Sequence, residues 1–199
     1  MARFLKNRSM VQGKSPGELT FVGKQKVEHP SIRMMQYNQY TLQEQEFSSL
    51  REAKEACDEE CVTWIDIVGL HETDVIASAE HLFGLHPLTL EDIVNTGQRP
   101  KVEEFDSYIS VMIKMMRWEP VDGKIHSEQL AIVWGSRVLL TFQERAGDVF
   151  DSVRERIRTG KGRVRRSGPD YLAYTLIDSI MDNYLLLIER LGEEIEALE

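Results

Sequence analysis

The chain has 199 residues, which suits one ordinary domain or one domain with an extension. Apolar residues make up 42% of it and charged residues 29%, so it can bury a core beneath a polar surface. The formal net charge of −9 disfavours general nucleic-acid or anionic-membrane binding and favours cations or basic partners. No run reaches the roughly 20 apolar residues of a membrane helix, and no signal peptide is visible.

Short apolar runs and helical patterns alternate along the first half. Residues 1–17 are predicted to form a flexible arm, and the apolar runs at 19–22 and 32–37 are predicted strands. Residues 48–59, rich in Ala, Glu, Lys and Arg, predict a helix capped by Ser48 or Ser49. Cys57 and Cys61 have no evident metal-binding partners nearby, so we expect two free thiols.

The middle of the chain predicts a sheet. The β-branched and aromatic run 62–68 predicts a buried strand, and residues 73–83 have helical apolar spacing that ends at Gly84. Three further strands are predicted at 108–118, 129–134 and 137–142, the last two joined as a hairpin through Gly135. A helix is predicted at 148–158. Because strands and helices interleave and the hairpin is antiparallel, the sequence predicts an α/β fold with a mixed β-sheet flanked by helices on both faces.

Residues 169–199 predict one long acidic helix. Pro169 suits its first turn, and about 30 residues would span roughly 45 Å. Apolar residues recur at alternating spacings of three and four, which predicts a seam packed along another helix. The seam comprises Tyr174, Ile177, Met181, Tyr184, Ile188, Leu191, Ile195 and Leu198. No stop signal precedes residue 199, so we expect the chain to be cut within or just after this helix. The predicted organisation is therefore an arm (1–17), an α/β domain (18–168) and a truncated helical region (169–199).

Two adjacent carboxylates, Glu91 and Asp92, lie on a short helix predicted to start near Pro87 and Thr89, where the threonine hydroxyl would cap free N–H groups. Adjacent carboxylates repel each other, and either a hard divalent cation or a basic partner removes that repulsion. The alternative is an ordinary solvated acidic surface. The five histidines show no metal-ligand spacing and are expected to be structural.

Several ordered motifs resemble the cytoplasmic domain of CorA-type magnesium channels. They are residues 64–69 (WIDIVG), 86–93 (HPLTLEDI), 98–102 (QRPKV), 142–144, 147–150, 153–157, 170–172 and 176–178. The resemblance spans roughly residues 16–199. It implies an N-terminal α/β domain followed by stalk helices and two membrane helices. The family's Gly-Met-Asn pore signature and membrane spans do not occur in these 199 residues.

The resemblance implies that the chain is the cytoplasmic regulatory domain of a magnesium or cobalt channel, on the cytoplasmic side of the cell inner membrane. Family members are pentamers gated by Mg²⁺ bound between neighbouring subunits. The matching residues here are Glu91, Asp92 and Asp178, with Co²⁺ or another divalent cation as possible substitutes for Mg²⁺. A further acidic ligand would come from the stalk helix, and the membrane would be engaged through C-terminal helices outside this sequence.

Three other functions are compatible with the sequence. One is the cytoplasmic domain of a related zinc transporter, and another is a soluble module that assembles through the 170–199 helix. The third, a phosphate- or nucleic-acid-binding protein, rests on the basic run at residues 154–166, which otherwise serves as a solvated face, an intersubunit salt-bridge surface or a contact for lipid headgroups. The run lacks interleaved aromatics and belongs to an acidic chain, so we expect no nucleic-acid partner. No catalytic constellation is recognisable, and we expect no enzyme.

Overall fold

The computed structural model describes residues 19–120 and 123–198, so the predicted arm at 1–17 lies outside the described residues. Within these residues the chain forms strands and helices in alternating groups. The strands are β1 (Ser31–Tyr37), β2 (Leu42–Phe47), β3 (Val62–Val68), β4 (Lys101–Glu104), β5 (Ile109–Glu119), β6 (Lys124–Trp134) and β7 (Val138–Gln143). The α-helices are α1 (Leu50–Glu55), α2 (Thr73–Phe83), α3 (Pro87–Val94), α4 (Asp151–Thr159) and α5 (Pro169–Glu196). None of the described helices is long and apolar enough to span a bilayer.

The strands form one sheet in the order β2-β1-β3-β7-β6-β5-β4. The central strands β3 and β7 pair in parallel. All other adjacent strands of the sheet pair in antiparallel fashion, including the predicted β6–β7 hairpin. This confirms the predicted α/β fold with a mixed sheet. β3 is buried along its whole length, because helices cover it from both sides.

Strand residues alternate between two separate cores. Ile65 and Ile67 of β3 face the core shared with α1, α2 and α3. Trp64, the residue before Ile65, faces the core shared with α4 and α5. The two-residue period of a strand sends neighbouring side chains to opposite faces. As a result, α3 and α5 lie on opposite sides of the sheet.

A buried ion network fixes α4 to the sheet. Arg154 donates hydrogen bonds of 2.6 and 2.5 Å to Asp148, and its guanidinium lies 3.4 Å from Asp66 and 5.0 Å from the centre of the Trp64 ring. Burial opposes ionisation of Asp148, but the Arg154 hydrogen bonds outweigh it and hold the pKa of Asp148 below its usual range. Asp66 accepts a hydrogen bond from Thr141 at 2.7 Å. Its pKa is raised by burial and by the Asp148 charge.

Several predicted strands differ from the structure. Residues 19–22 do not form a strand, because the N–H and C=O of Val22 bond to the end of α3, at Val94 and Thr96. The sequence patterns predict neither β2 nor β4. β2 is polar (LQEQEF) and lies at a sheet edge with four of its six residues exposed, so it lacks the apolar alternation of a half-buried strand. Helix α1 starts with the predicted cap, Ser49, but ends at Glu55.

The long helix α5 is confirmed, but the predicted seam does not pack against another helix in the described chain. The face that packs on the sheet contains Leu172, Ala173, Leu176 and Ile180. Of the predicted seam, Ile177 and Tyr184 pack partly on the core, whereas Met181, Ile188 and Ile195 are 49–64% exposed. The apolar periodicity predicts the helix, but it does not separate the sheet-facing stripe from an exposed apolar flank beside it.

Substitutions at two leucines of α5 test which face of this helix packs on the sheet. Leu176 is fully buried, so Leu176→Ala should lower the free energy of unfolding by about 2–5 kcal/mol. The matched change Leu185→Ala, at a position 59% exposed, should lower it by less than about 0.5 kcal/mol. Urea denaturation of the two variants measures the difference. Equal losses would mean that α5 does not dock on the sheet through its Leu176 face.

Candidate functional site

The acidic pair lies on α3, whose start is set by His86. The His86 Nδ1 accepts a hydrogen bond from the Leu88 N–H at 3.2 Å, and Pro87 occupies the first turn. The prediction that Thr89 caps this helix is wrong. Its hydroxyl is buried and lies 2.8 Å from the Tyr108 hydroxyl, which ties the helix to the start of β5.

The carbonyl end of α3 is fixed to the sheet by side chains from neighbouring strands. Gln129 of β6 donates to the backbone carbonyls of Asp92 at 2.8 Å and Ile93 at 3.2 Å. The Lys114 ammonium of β5 donates to the Thr96 carbonyl at 2.9 Å. These contacts satisfy backbone groups that a helix end leaves open. The backbone that carries Asp92 is therefore held in place by the sheet.

The Asp92 carboxylate already has a cation within its own subunit. The Lys101 ammonium, on edge strand β4, lies 2.5 Å from Asp92 and 2.8 Å from Glu103, and Gln98 donates a further hydrogen bond to Asp92. The Asp92 side chain is 14% exposed. Burial raises the pKa of Asp92, and Lys101 only partly offsets that shift.

The sequence prediction named Asp92 but missed its partners. Gln98 and Lys101 both belong to the 98–102 motif, but no spacing rule connects a lysine at that distance to an aspartate on the preceding helix. The turn after α3 is closed by the Gln98 N–H, which donates to the Asn95 carbonyl at 2.9 Å. Lys101 therefore acts as a fixed counter-ion for Asp92.

Glu91 is half-buried and occupies the neighbouring position on α3. Adjacent positions on an α-helix point about 100° apart, so Glu91 and Asp92 do not present their carboxylates on one line. A single ion held by both would need to sit at the helix flank, with its remaining coordination supplied by water or by other groups.

Asp178 lies on α5, on the other side of the sheet from α3. Its side chain is half-buried, and it has no hydrogen-bond or ion-pair partner among the described residues. In the described part of the chain no three His, Cys, Asp or Glu side chains come together in a group that could hold a metal ion. One subunit therefore does not bring Asp178 to Glu91 and Asp92.

Cys57 and Cys61 are free thiols, as expected, and burial raises the pKa of both. A raised pKa keeps a thiol protonated at neutral pH, which disfavours metal binding. The oxygen ligands on α3 and α5 remain the candidate metal-binding residues.

Comparison with known proteins identifies the family. Residues 59–199 match the family model of the CorA-like Mg²⁺ transporter protein. The chain is 40% identical over 194 residues to the cobalt/magnesium transport protein CorA of Thermotoga maritima, an alignment that covers 98% of this chain and 55% of that protein. The chain therefore spans about half the length of this relative.

Two solved structures share the fold at low sequence identity. The soluble domain of CorA from Methanocaldococcus jannaschii superposes with a TM-score of 0.60 at 18% identity, covering 83% of this chain and 62% of that one. The ZntB cytoplasmic domain from Vibrio parahaemolyticus gives 0.61 at 12% identity, covering 84% and 65%. The fold, the ordered motifs and the family match lead to one conclusion: this chain belongs to the CorA-like magnesium transporter family.

Proposed function

We propose that the chain is the cytoplasmic, cation-sensing region of a CorA-like magnesium or cobalt transporter in the cell inner membrane. In this proposal the full-length protein is a pentamer, and Mg²⁺ binds between neighbouring subunits. Glu91 and Asp92 of one subunit and Asp178 of the next supply carboxylate oxygens. The chain has no catalytic role.

The observation that carries this proposal is the separation of the acidic residues within one subunit. α3 and α5 cover opposite faces of the sheet, and Asp178 has no partner among the described residues. Neighbouring copies in a ring present opposite sides to each other, so α3 of one copy can approach α5 of the next. An ion between copies then requires no rearrangement inside either domain.

The chemistry of the ligands supports Mg²⁺ as the regulatory ion. Mg²⁺ keeps several of its waters and is bound through one or two carboxylates. Structural zinc sites are built mostly from Cys and His, and neither residue type clusters with these acids in the described chain. A related zinc transporter remains the second candidate because of the shared ZntB fold. Comparing Mg²⁺ with Zn²⁺ in the titrations below separates the two.

Lys101 sets how strongly Asp92 can hold a cation. Its ammonium, 2.5 Å from the carboxylate, must move aside when a divalent ion arrives. The net binding free energy of the ion is therefore the difference between its own attraction to the Asp92 carboxylate and the attraction of Lys101 to the same group. Such competition gives weak binding. A sensor needs weak binding because the ion must dissociate when the Mg²⁺ concentration falls within the range found in the cell. When the ion leaves, repulsion between carboxylates of neighbouring subunits loosens the ring.

The first test concerns Asp92 in the full-length protein purified in detergent. Millimolar Mg²⁺ should raise the unfolding temperature of the wild type, because an ion that binds only the folded assembly adds about 2.7 kcal/mol at a hundredfold excess over its Kd. Asp92→Asn should remove most of this Mg²⁺-dependent shift, and so should Asp178→Asn. Thermal unfolding with and without the ion measures it.

Glu193 supplies the matched control, since it lies on the same helix 15 residues from Asp178 and is exposed. Glu193→Gln removes one negative charge about four turns away from the proposed site, so the Mg²⁺-dependent shift should remain. Equal shifts in wild type and Asp92→Asn would refute the sensing role of Asp92. A larger stabilisation by Zn²⁺ than by Mg²⁺ would favour the second candidate function.

The second test removes the internal counter-ion. Lys101→Met should tighten Mg²⁺ binding about fivefold, since a partly exposed ion pair is worth roughly 1 kcal/mol. Lys24→Met makes the same charge change at an exposed position and should leave the affinity nearly unchanged. Isothermal titration with Mg²⁺ measures both. An unchanged affinity in Lys101→Met would show that Asp92 does not bind the ion.

The third test uses pH. Burial raises the pKa of Asp92, so in the folded protein protons compete for its carboxylate at a higher pH than for an ordinary aspartate, whose pKa is about 3.9. The apparent Mg²⁺ affinity should be constant well above the raised pKa and fall as pH drops through it. Titrations between pH 8 and pH 4 give the profile. An affinity that stays flat down to pH 4 would exclude Asp92 as a ligand.

A further inference from the structure

The segment before β1 lies against the carbonyl end of α3, two residues after Asp92. We call residues 19–30 the N-terminal strap. The Val22 N–H donates to the Val94 carbonyl at 3.0 Å, and the Val22 carbonyl accepts from both the N–H and the hydroxyl of Thr96, each at 3.0 Å. The strap therefore bonds to the backbone on both sides of Asn95, the residue at which α3 ends.

The N-terminal strap is packed into the domain. Leu19 and Phe21 pack on the core beneath α1–α3, and Val22 is buried. Gly23 allows a close approach to the turn after α3, because a Cβ at this position would lie only 2.7 Å from the Thr96 hydroxyl oxygen. The strap and the end of α3 are thus fitted to each other with no room for a further side chain.

Lys26 makes the charged contact between the strap and the sheet. Its ammonium lies 2.7 Å from the Oε2 of Glu144, whose side chain is 3% exposed just after β7. Lys26 is the one cation paired with Glu144 among the described residues, since the arginines nearby, Arg117 and Arg145, pair with Glu128. A buried charge that loses its partner is left uncompensated. The position of the Glu144 carboxylate therefore depends on Lys26.

The other oxygen of Glu144 connects to Asp92 through one residue. Glu144 Oε1 accepts a hydrogen bond from the Gln129 N–H at 2.7 Å. The Gln129 side-chain amide donates to the carbonyls of Asp92 at 2.8 Å and Ile93 at 3.2 Å. Gln129 is buried, so water has little access to replace these bonds. Continuous contacts thus run from Lys26 through Glu144 and Gln129 to the backbone of Asp92.

From these contacts we propose that Lys26 is a positioning residue for Asp92. By neutralising Glu144 it keeps Gln129 in place, and Gln129 holds the end of α3 in the orientation that lets the Asp92 carboxylate bind a divalent cation. Lys26 does not touch the ion. The inference rests on the proposed function, because it takes Asp92 to be a ligand. Groups that orient a metal ligand from behind change the affinity for the metal when they are removed.

The sign of the effect separates positioning from simple electrostatics. Lys26 carries a positive charge, so its removal would by itself make the domain more attractive to Mg²⁺. The loss of positioning acts in the opposite direction and weakens binding. Lys101, which competes directly for the Asp92 carboxylate, should show the reverse behaviour when it is removed.

The test is isothermal titration of the full-length protein in detergent with Mg²⁺ at constant ionic strength. Lys26→Met should weaken Mg²⁺ binding about threefold to tenfold, and Gln129→Leu should weaken it at least as much. Lys26→Arg keeps the charge and should restore binding close to that of the wild type. Lys24→Met makes the same charge change at an exposed position of the strap and should not weaken binding.

Amide hydrogen exchange gives a second measurement that needs no ion. Without Mg²⁺, exchange at residues 93–96 should be faster in Lys26→Met than in the wild type, because the end of α3 opens more often. Lys24→Met should leave it unchanged. A uniform increase over the whole domain in Lys26→Met would mean a general loss of stability and would overturn the positioning role.

Unchanged or tighter Mg²⁺ binding in Lys26→Met, together with its loss in Asp92→Asn, would overturn this inference and leave the proposed function intact. Equal weakening in Lys26→Met and Lys24→Met would also overturn it, and so would a Lys26→Arg variant as weak as Lys26→Met. Wild-type affinity in Asp92→Asn would instead refute the proposed function, and this inference with it.

Discussion

The burial of both faces of the sheet decides where every candidate ligand lies. β3 has no exposed residue, and its alternating side chains supply one core beneath α1–α3 and another beneath α4 and α5. This arrangement sends the carboxylates of α3 and Asp178 of α5 to opposite sides of the domain. In the proposed function, a cation that joins them must therefore join two copies of the chain, and its loss would change contacts between copies while each core stays intact.

Under the proposed function, the surroundings of Asp92 favour weak, reversible binding of a cation. Gln129 fixes the backbone of Asp92, while Lys101 and Gln98 occupy its carboxylate. A carboxylate held in this way is already positioned for an ion, but Lys101 occupies it. An arriving ion must displace the lysine, so its net binding free energy is reduced by the energy of the existing ion pair. The sequence patterns do not predict the edge strand β4, and the first residue of this strand is Lys101.

Sequence patterns predicted the central elements well because those elements are decided by local signals. β3 is a β-branched and aromatic run, and α2 ends at Gly84, whose φ of 69° favours glycine. Patterns failed where tertiary contacts decide the outcome. Residues 19–22 have strand composition, yet Val22 bonds to the end of α3. Asp92 could be named from its motif, but its partner Lys101 lies nine residues away on another element, and no spacing rule links the two.

The two edges of the sheet are both unsuited to pairing with another chain. β2 exposes glutamines and glutamates, with Glu44 tied to Arg158, and β4 is four residues long with three of them charged. Short, charged edge strands discourage strand addition. Copies of this domain are thereby kept from joining into a continuous sheet. The proposed ring would therefore be built from helix and loop contacts, and open-ended fibre growth along the strands is suppressed.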